Sequence, residues 1–158
     1  MDSRHLRNAL GRFTTGVTII TCRDAKGQPV GLTVSSFNAL SLDPPLVLWS
    51  LRHASPNMQA FETAAHFAVN VLAAAQVDLS RRFASSAEDR FSQGTWARGN
   101  HGVPVLAGCA AVFECETVSH QIAGDHRLFI GRVLACSEWP LPPLVFQAGH
   151  YRLLGEVL

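Results

Sequence analysis

The chain has 158 residues, of which 47% are hydrophobic and 16% charged, with a net charge of +1. That is enough apolar chain for one folded domain spanning residues 1–158, and too much for disorder. A near-neutral balance leaves no electrostatic footprint for nucleic acid or for an anionic membrane surface, and the low charge fraction suggests surface hidden in a subunit interface.

The opening "MDSRHLRNALGRF" carries Asp2, Arg4, Arg7 and Arg12 and has no apolar h-region, so it is not expected to act as a signal peptide. No apolar run reaches membrane-spanning length. The four cysteines, Cys22, Cys109, Cys115 and Cys136, form no CxxC pair and read as reduced, mostly buried thiols of a cytoplasmic protein.

Asp2 or Ser3 can cap a first helix, along which Leu6, Leu10 and Phe13 recur at helical spacing. "GVTIITC" is rich in β-branched residues and predicts a strand. A "DAKGQ" turn and "PVGLTVSS" complete a hairpin over Thr15–Ser36. "SLDPP" breaks the chain, and "LVLWSL" predicts a third, deeply buried strand. In "SPNMQAFETA", Ser55 reads as a helix N-cap with Pro56 in the first helical position.

"HFAVNVL" predicts a fourth strand and "AQVDLSRRFA" a second short helix. From Ser85 to Gly102 the chain is polar and weakly periodic, which reads as a long surface excursion. "CAAVFECETVSHQI" and "HRLFIGRVLACSEW", joined at "AGD", predict a long antiparallel hairpin. "PLPPLVFQAGHYRLL" closes the chain with a short strand and an ordered tail. Six strands, few helices and no βαβ alternation point to a mainly β fold, an antiparallel six-stranded barrel with a few short helices.

Several chemistries lack their motifs. There is no GxG dinucleotide fingerprint, no GxxxxGK phosphate loop, no GxSxG elbow and no HExxH, and no histidines or cysteines stand at zinc spacing, so no metal is expected.

The stretch "GLTVSSFNALSLDPPLVLWSL" places many small hydroxyls between two core strands. Two roles are open for them. They can satisfy a strand ladder or a turn. They can also let a flat, polar-edged heterocycle approach the backbone, with Thr33, Val34, Ser35 and Ser36 on one edge and Ser50 and Leu51 beside them. Ser55 and the free N–H groups around Asn57 open a helix whose positive end suits a phosphate, and Arg81 or Arg82 can add charge to it.

In "ALGRFTTGVTIIT", "GLTVSSFNALSLDPPLVLWSL", "SPNMQAF", "FAVNVLAAAQVDLSRRFA", "GDHRLFIGRV" and "PLVFQAGHYRLL", taken in order, the chain resembles the short-chain flavin reductase family. The resemblance implies an FMN-binding split barrel of Greek-key form. It implies that Thr33, Val34, Ser35, Ser36, Ser50 and Leu51 hold the flavin ring and ribityl chain, with Ser55 and Asn57 at the phosphate. Gln76, Arg82 and Phe83 would complete the pocket. His126, in "GDHRLFIG", would stand beside flavin and nicotinamide as a positioning or catalytic residue; as a residue alone it reads equally as a strand-end histidine in a turn.

The implied activity is NAD(P)H-dependent reduction of FMN or FAD. The implied biology is a homodimer that passes reduced flavin by diffusion to a separate monooxygenase. A non-reductase flavin binder, or an oxidase of another small molecule, is the alternative on the same fold.

Overall fold

The computed structural model describes residues 1–158. Helix α1 (Ser3–Leu10) is capped by Asp2, whose Oδ1 accepts from the Arg4 N–H at 3.0 Å, and none of its residues is buried. Strands β1 (Thr15–Gly16), β2 (Thr18–Arg23), β3 (Pro29–Val34), β4 (Asn38–Leu42) and β5 (Pro45–Arg52) follow. Next come α2 (Met58–Thr63), β6 (His66–Val71) and α3 (Val77–Phe83). The chain then forms β7 (Trp96–Arg98), β8 (Pro104–Leu106), β9 (Ala111–Ala123), β10 (His126–Glu138), β11 (Val145–Gln147) and β12 (His150–Arg152). No helix is long and apolar enough to cross a membrane.

The mainly β reading holds, but the six-stranded barrel needs correction. The main sheet has seven antiparallel strands in the order β3-β2-β6-β9-β10-β5-β4, and it is open, with β3 and β4 at its two ends. The extra strand is β4, in the segment expected to be a break: "NALSL" turns back through Asp43–Pro44 and pairs along Pro45–Leu48 of β5. Along Pro45–Leu48 that edge of β5 is therefore taken, and β3 forms no ladder with the remainder. The smaller sheet β1-β11-β12 and the β7-β8 pair complete the fold.

β2 is buried on both faces, which accounts for its unbroken apolar and threonine run. Ile20 and Cys22 enter one core with Trp49, Phe61, Phe67 and Phe129. Val17, just before the strand, and Ile19 enter the other with Leu72, Phe83 and Leu106. Trp49 stacks on Phe129 with centroids 4.6 Å apart. Gly131 makes this packing possible, because a Cβ there would fall 2.4 Å from the Phe67 ring.

The buried polar side chains of β2 and β6 bond to the backbone, whereas the buried Trp49 Nε1 has no partner. Thr18 Oγ1 donates to the Val34 carbonyl at 2.9 Å and Thr21 Oγ1 to that of Pro104 at 2.6 Å. Asn70 donates to the Ile19 carbonyl and accepts from the Leu106 N–H, both at 2.9 Å.

Two local expectations differ from the structure. Helix α2 begins at Met58 with Asn57 as its cap, and Ser55 instead closes a turn, its Oγ accepting from the Asn57 N–H at 3.2 Å. The Ser85–Gly102 segment is not a free surface excursion. Phe91 and Trp96 pack on Phe83 at 5.1 and 5.4 Å between centroids, and β7 pairs with β8. Aromatic anchors spaced along a loop leave no periodic signature to read.

Candidate functional site

Two strand edges face each other without a ladder between them. β3 pairs only with β2, and β5 beyond Leu48 has no partner on its β4 side. Ser36 spans the gap: its Oγ accepts from the Ser50 N–H at 2.9 Å and donates to the Ser50 carbonyl at 3.0 Å. By strand alternation the Arg52 N–H lies on the same edge as that of Ser50.

A cleft of about 540 Å³ opens there. Its walls are apolar at Leu32, Val34, Leu51 and Pro56, and its edges are polar at Ser35, Ser36, Ser50 and Ser55. His126 stands at its mouth because β10 begins beside the end of β5, in register with Arg52. A hollow of about 670 Å³ near α1 is larger, but its lining by Arg7, Leu10 and Phe146 lacks this facing pair of open strand edges.

The structure brings Thr33, Val34, Ser35, Ser36, Ser50, Leu51, Ser55 and His126 together on this one cleft. Their availability differs. Ser35 is exposed, whereas Thr33 donates its hydroxyl to the Ser80 carbonyl at 2.6 Å, so its backbone is what faces a ligand.

Four expected residues fall outside the lining. Asn57 borders a neighbouring hollow with Gly31 and Arg90. Gln76 accepts from the Ala73 N–H at 3.0 Å and donates to the Ala107 carbonyl at 2.9 Å. Arg82 pins the following loop, with Nε on the Arg90 carbonyl and Nη2 on Ser92 Oγ, both at 3.1 Å, and a further bond to the Asp89 carbonyl. Phe83 is 1% exposed in the second core.

His126 Nδ1 lies 2.6 Å from Asp125 Oδ1. The hydrogen bond from His126, and then its charge, hold the Asp125 carboxyl below the usual 3.8. This contact sets the orientation of the imidazole at the cleft. Arg52 is the residue that sequence reasoning missed. It lines the cleft, is exposed, and belongs to none of the four ion pairs. In a chain with twelve arginines against one lysine its position carried no signal.

The cleft therefore offers backbone and hydroxyl groups along a rim, apolar walls, one free cation and one oriented imidazole. Such a lining suits a flat heterocycle with polar edges and an anionic tail.

Residues 10–155 match the family model described as flavin reductase like domain. The chain is 45% identical over 150 residues to the FMN reductase (NADH) SmoA of Agrobacterium fabrum, covering 95% of this chain and 85% of that one. It is 46% identical over 149 residues to the reductase component of flavin-dependent trigonelline monooxygenase from Acinetobacter baylyi, covering 94% of this chain and 48% of that one. It spans about half of some relatives, 51% of one from Rhizobium meliloti among them. The solved structure of Streptomyces globisporus NADH:FAD oxidoreductase SgcE6 in complex with NAD and FAD fragments superposes with a TM-score of 0.92 at 35% identity, covering 98% of this chain and 93% of that one.

Proposed function

The chain belongs to the flavin reductase like family, and from that premise we propose that it is an NAD(P)H:flavin oxidoreductase whose cleft between β3 and β5 takes FMN or FAD. The observation that carries this reading is the pair of unpaired strand edges bridged by Ser36, which leaves oriented backbone groups beside apolar walls.

The residues fit the group. Ser35 and the outer edge of β3 would hold the polar rim of the ring, Leu32 and Leu51 would cover its faces, and Ser55 and Arg52 would meet the phosphate. A flavin held there would supply the redox chemistry, hydride transfer from a nicotinamide. The chain's own work is placement. Apolar walls exclude water and hold a stacked ring, backbone N–H groups along β3 and β5 favour an electron-rich ring edge, and Asp125 orients His126 toward an incoming nicotinamide. No side-chain acid or base is required for this step.

The wider role is the reductase component of a two-component system. Relatives named as reductase subunits or components of monooxygenases support this pairing, and in our reading the reduced flavin reaches the separate monooxygenase by diffusion. The chain works as a single domain over residues 1–158, in the cytoplasm and as a homodimer. In support of the dimer, α1 buries none of its residues, and Leu10, Phe13, Leu153 and Leu154 are between 65% and 74% exposed.

Steady-state oxidation of NADH and of NADPH, each with FMN and with FAD, tests the proposal. Consumption that rises with added flavin is expected. Flavin binding with no nicotinamide consumed would leave a non-reductase flavin protein or an oxidase of another small molecule.

A further inference from the structure

Tyr151 lies outside the cleft, yet it ends a line of hydrogen bonds that starts on the cleft wall. Thr33 Oγ1 donates to the Ser80 carbonyl at 2.6 Å, and Ser80 Oγ lies 2.7 Å from Tyr151 Oη. Ser80 is fully buried, so its hydroxyl has no water to replace a lost partner. The Tyr151 ring is itself fixed. Phe146 packs edge-on at 5.6 Å, and the Arg81 guanidinium sits 5.4 Å from the ring centroid. β3 needs such support because it is an edge strand, paired on one side only.

We propose that Tyr151 is a positioning residue for the flavin cleft: through Ser80 it fixes the carbonyl that holds Thr33, and so sets where the outer edge of β3 meets a ligand. The proposal rests on the flavin reading given above. It makes the C-terminal hairpin β11–β12 a part of the binding site without any contact to the ligand.

Tyr151→Phe tests it, since it deletes one hydroxyl and keeps the ring and its packing. Two readouts are expected to move. The FMN dissociation constant rises by roughly three- to tenfold, the size of one buried hydrogen bond. Amide exchange at Val34 and Ser35 quickens in ligand-free protein, while exchange across the β9–β10 pairing stays as in wild type. Ser80→Ala breaks the same line from its middle, and the double variant should be no weaker than the poorer single one.

Unchanged exchange at β3, faster exchange throughout the sheet, wild-type FMN affinity in Tyr151→Phe, or fully additive losses in the double variant would each overturn the proposal. If wild-type protein itself binds no FMN, the flavin reading fails separately, and the exchange measurement still decides whether Tyr151 holds β3.

Discussion

Ser36 and Ser50 are joined twice through a single hydroxyl, which accepts the Ser50 N–H at 2.9 Å and donates to its carbonyl at 3.0 Å. A side chain here does the work of a strand partner at the point where the sheet fails to close. Ser36→Ala leaves both backbone groups of Ser50 without that partner. It should cost about 1–2 kcal/mol of stability in urea unfolding and widen the cleft enough to weaken flavin binding. Unfolding at the wild-type midpoint would show that the bridge carries no weight.

Ser35 is exposed and lines the cleft between the two open edges. Ser35→Trp would fill that space with an indole and disturb no buried neighbour. Flavin titration by fluorescence quenching should show affinity lost beyond ~100-fold, while thermal melting stays near wild type. Retained affinity would move the site elsewhere on the molecule.

The β strands were legible because β2, β5, β6 and the β9–β10 hairpin carry unbroken or alternating apolar runs over long stretches. The small hydroxyls of Thr33–Ser36 and Ser50 stood out between two strands, but only the family resemblance set them against one ligand, because β3 and β5 share no ladder. Barrel closure was not legible. The sheet ends in β4 instead of returning to β3, and "NALSL" before Asp-Pro-Pro looks like a loop. Gln76, Arg82 and Phe83 were assigned by resemblance, and their backbone bonds or burial are set by loops with no periodic pattern.

Arg52 gives the cleft its unpaired cation. Arg52→Glu should weaken FMN binding about tenfold, the value of one charge-assisted hydrogen bond to a phosphate. The gap from wild type should narrow as salt is raised, because the group is exposed. Calorimetric titration at two salt concentrations measures both effects. Equal affinity in the two proteins would place the phosphate away from Arg52.

Asp125 reports on His126. Its carboxyl lies below the usual 3.8 mainly because His126 hydrogen-bonds to it. A depressed carboxylate favours the folded arrangement above its unfolded value, and that contribution is lost as pH falls through the lower folded value. The carboxylate side of the contact is therefore lost only in acid below 3.8. In His126→Ala the Asp125 midpoint, followed by carboxyl NMR, should move back up toward 3.8. The same variant should slow NADH oxidation more than it weakens FMN binding. An unmoved midpoint would mean the two side chains do not touch in solution.

Burial pushes the thiols of Cys22, Cys109 and Cys115 up to about 12 from the ordinary 9.0, whereas Cys136 is exposed. A thiol-specific disulfide reagent at neutral pH should therefore titrate one group promptly and the other three only after denaturation, with Cys136→Ser removing the prompt phase. The same shifts set an alkaline limit. An unfolded chain ionises these thiols near 9.0 while the folded core holds them protonated to about 12, so the stability they contribute is complete below the first value and drains away toward the second. Urea midpoints should fall across that interval, and Cys115→Ala, which removes one of the three groups, should flatten the fall. Four equally prompt thiols would mean that the two cores beneath β2 and β9 are open to solvent.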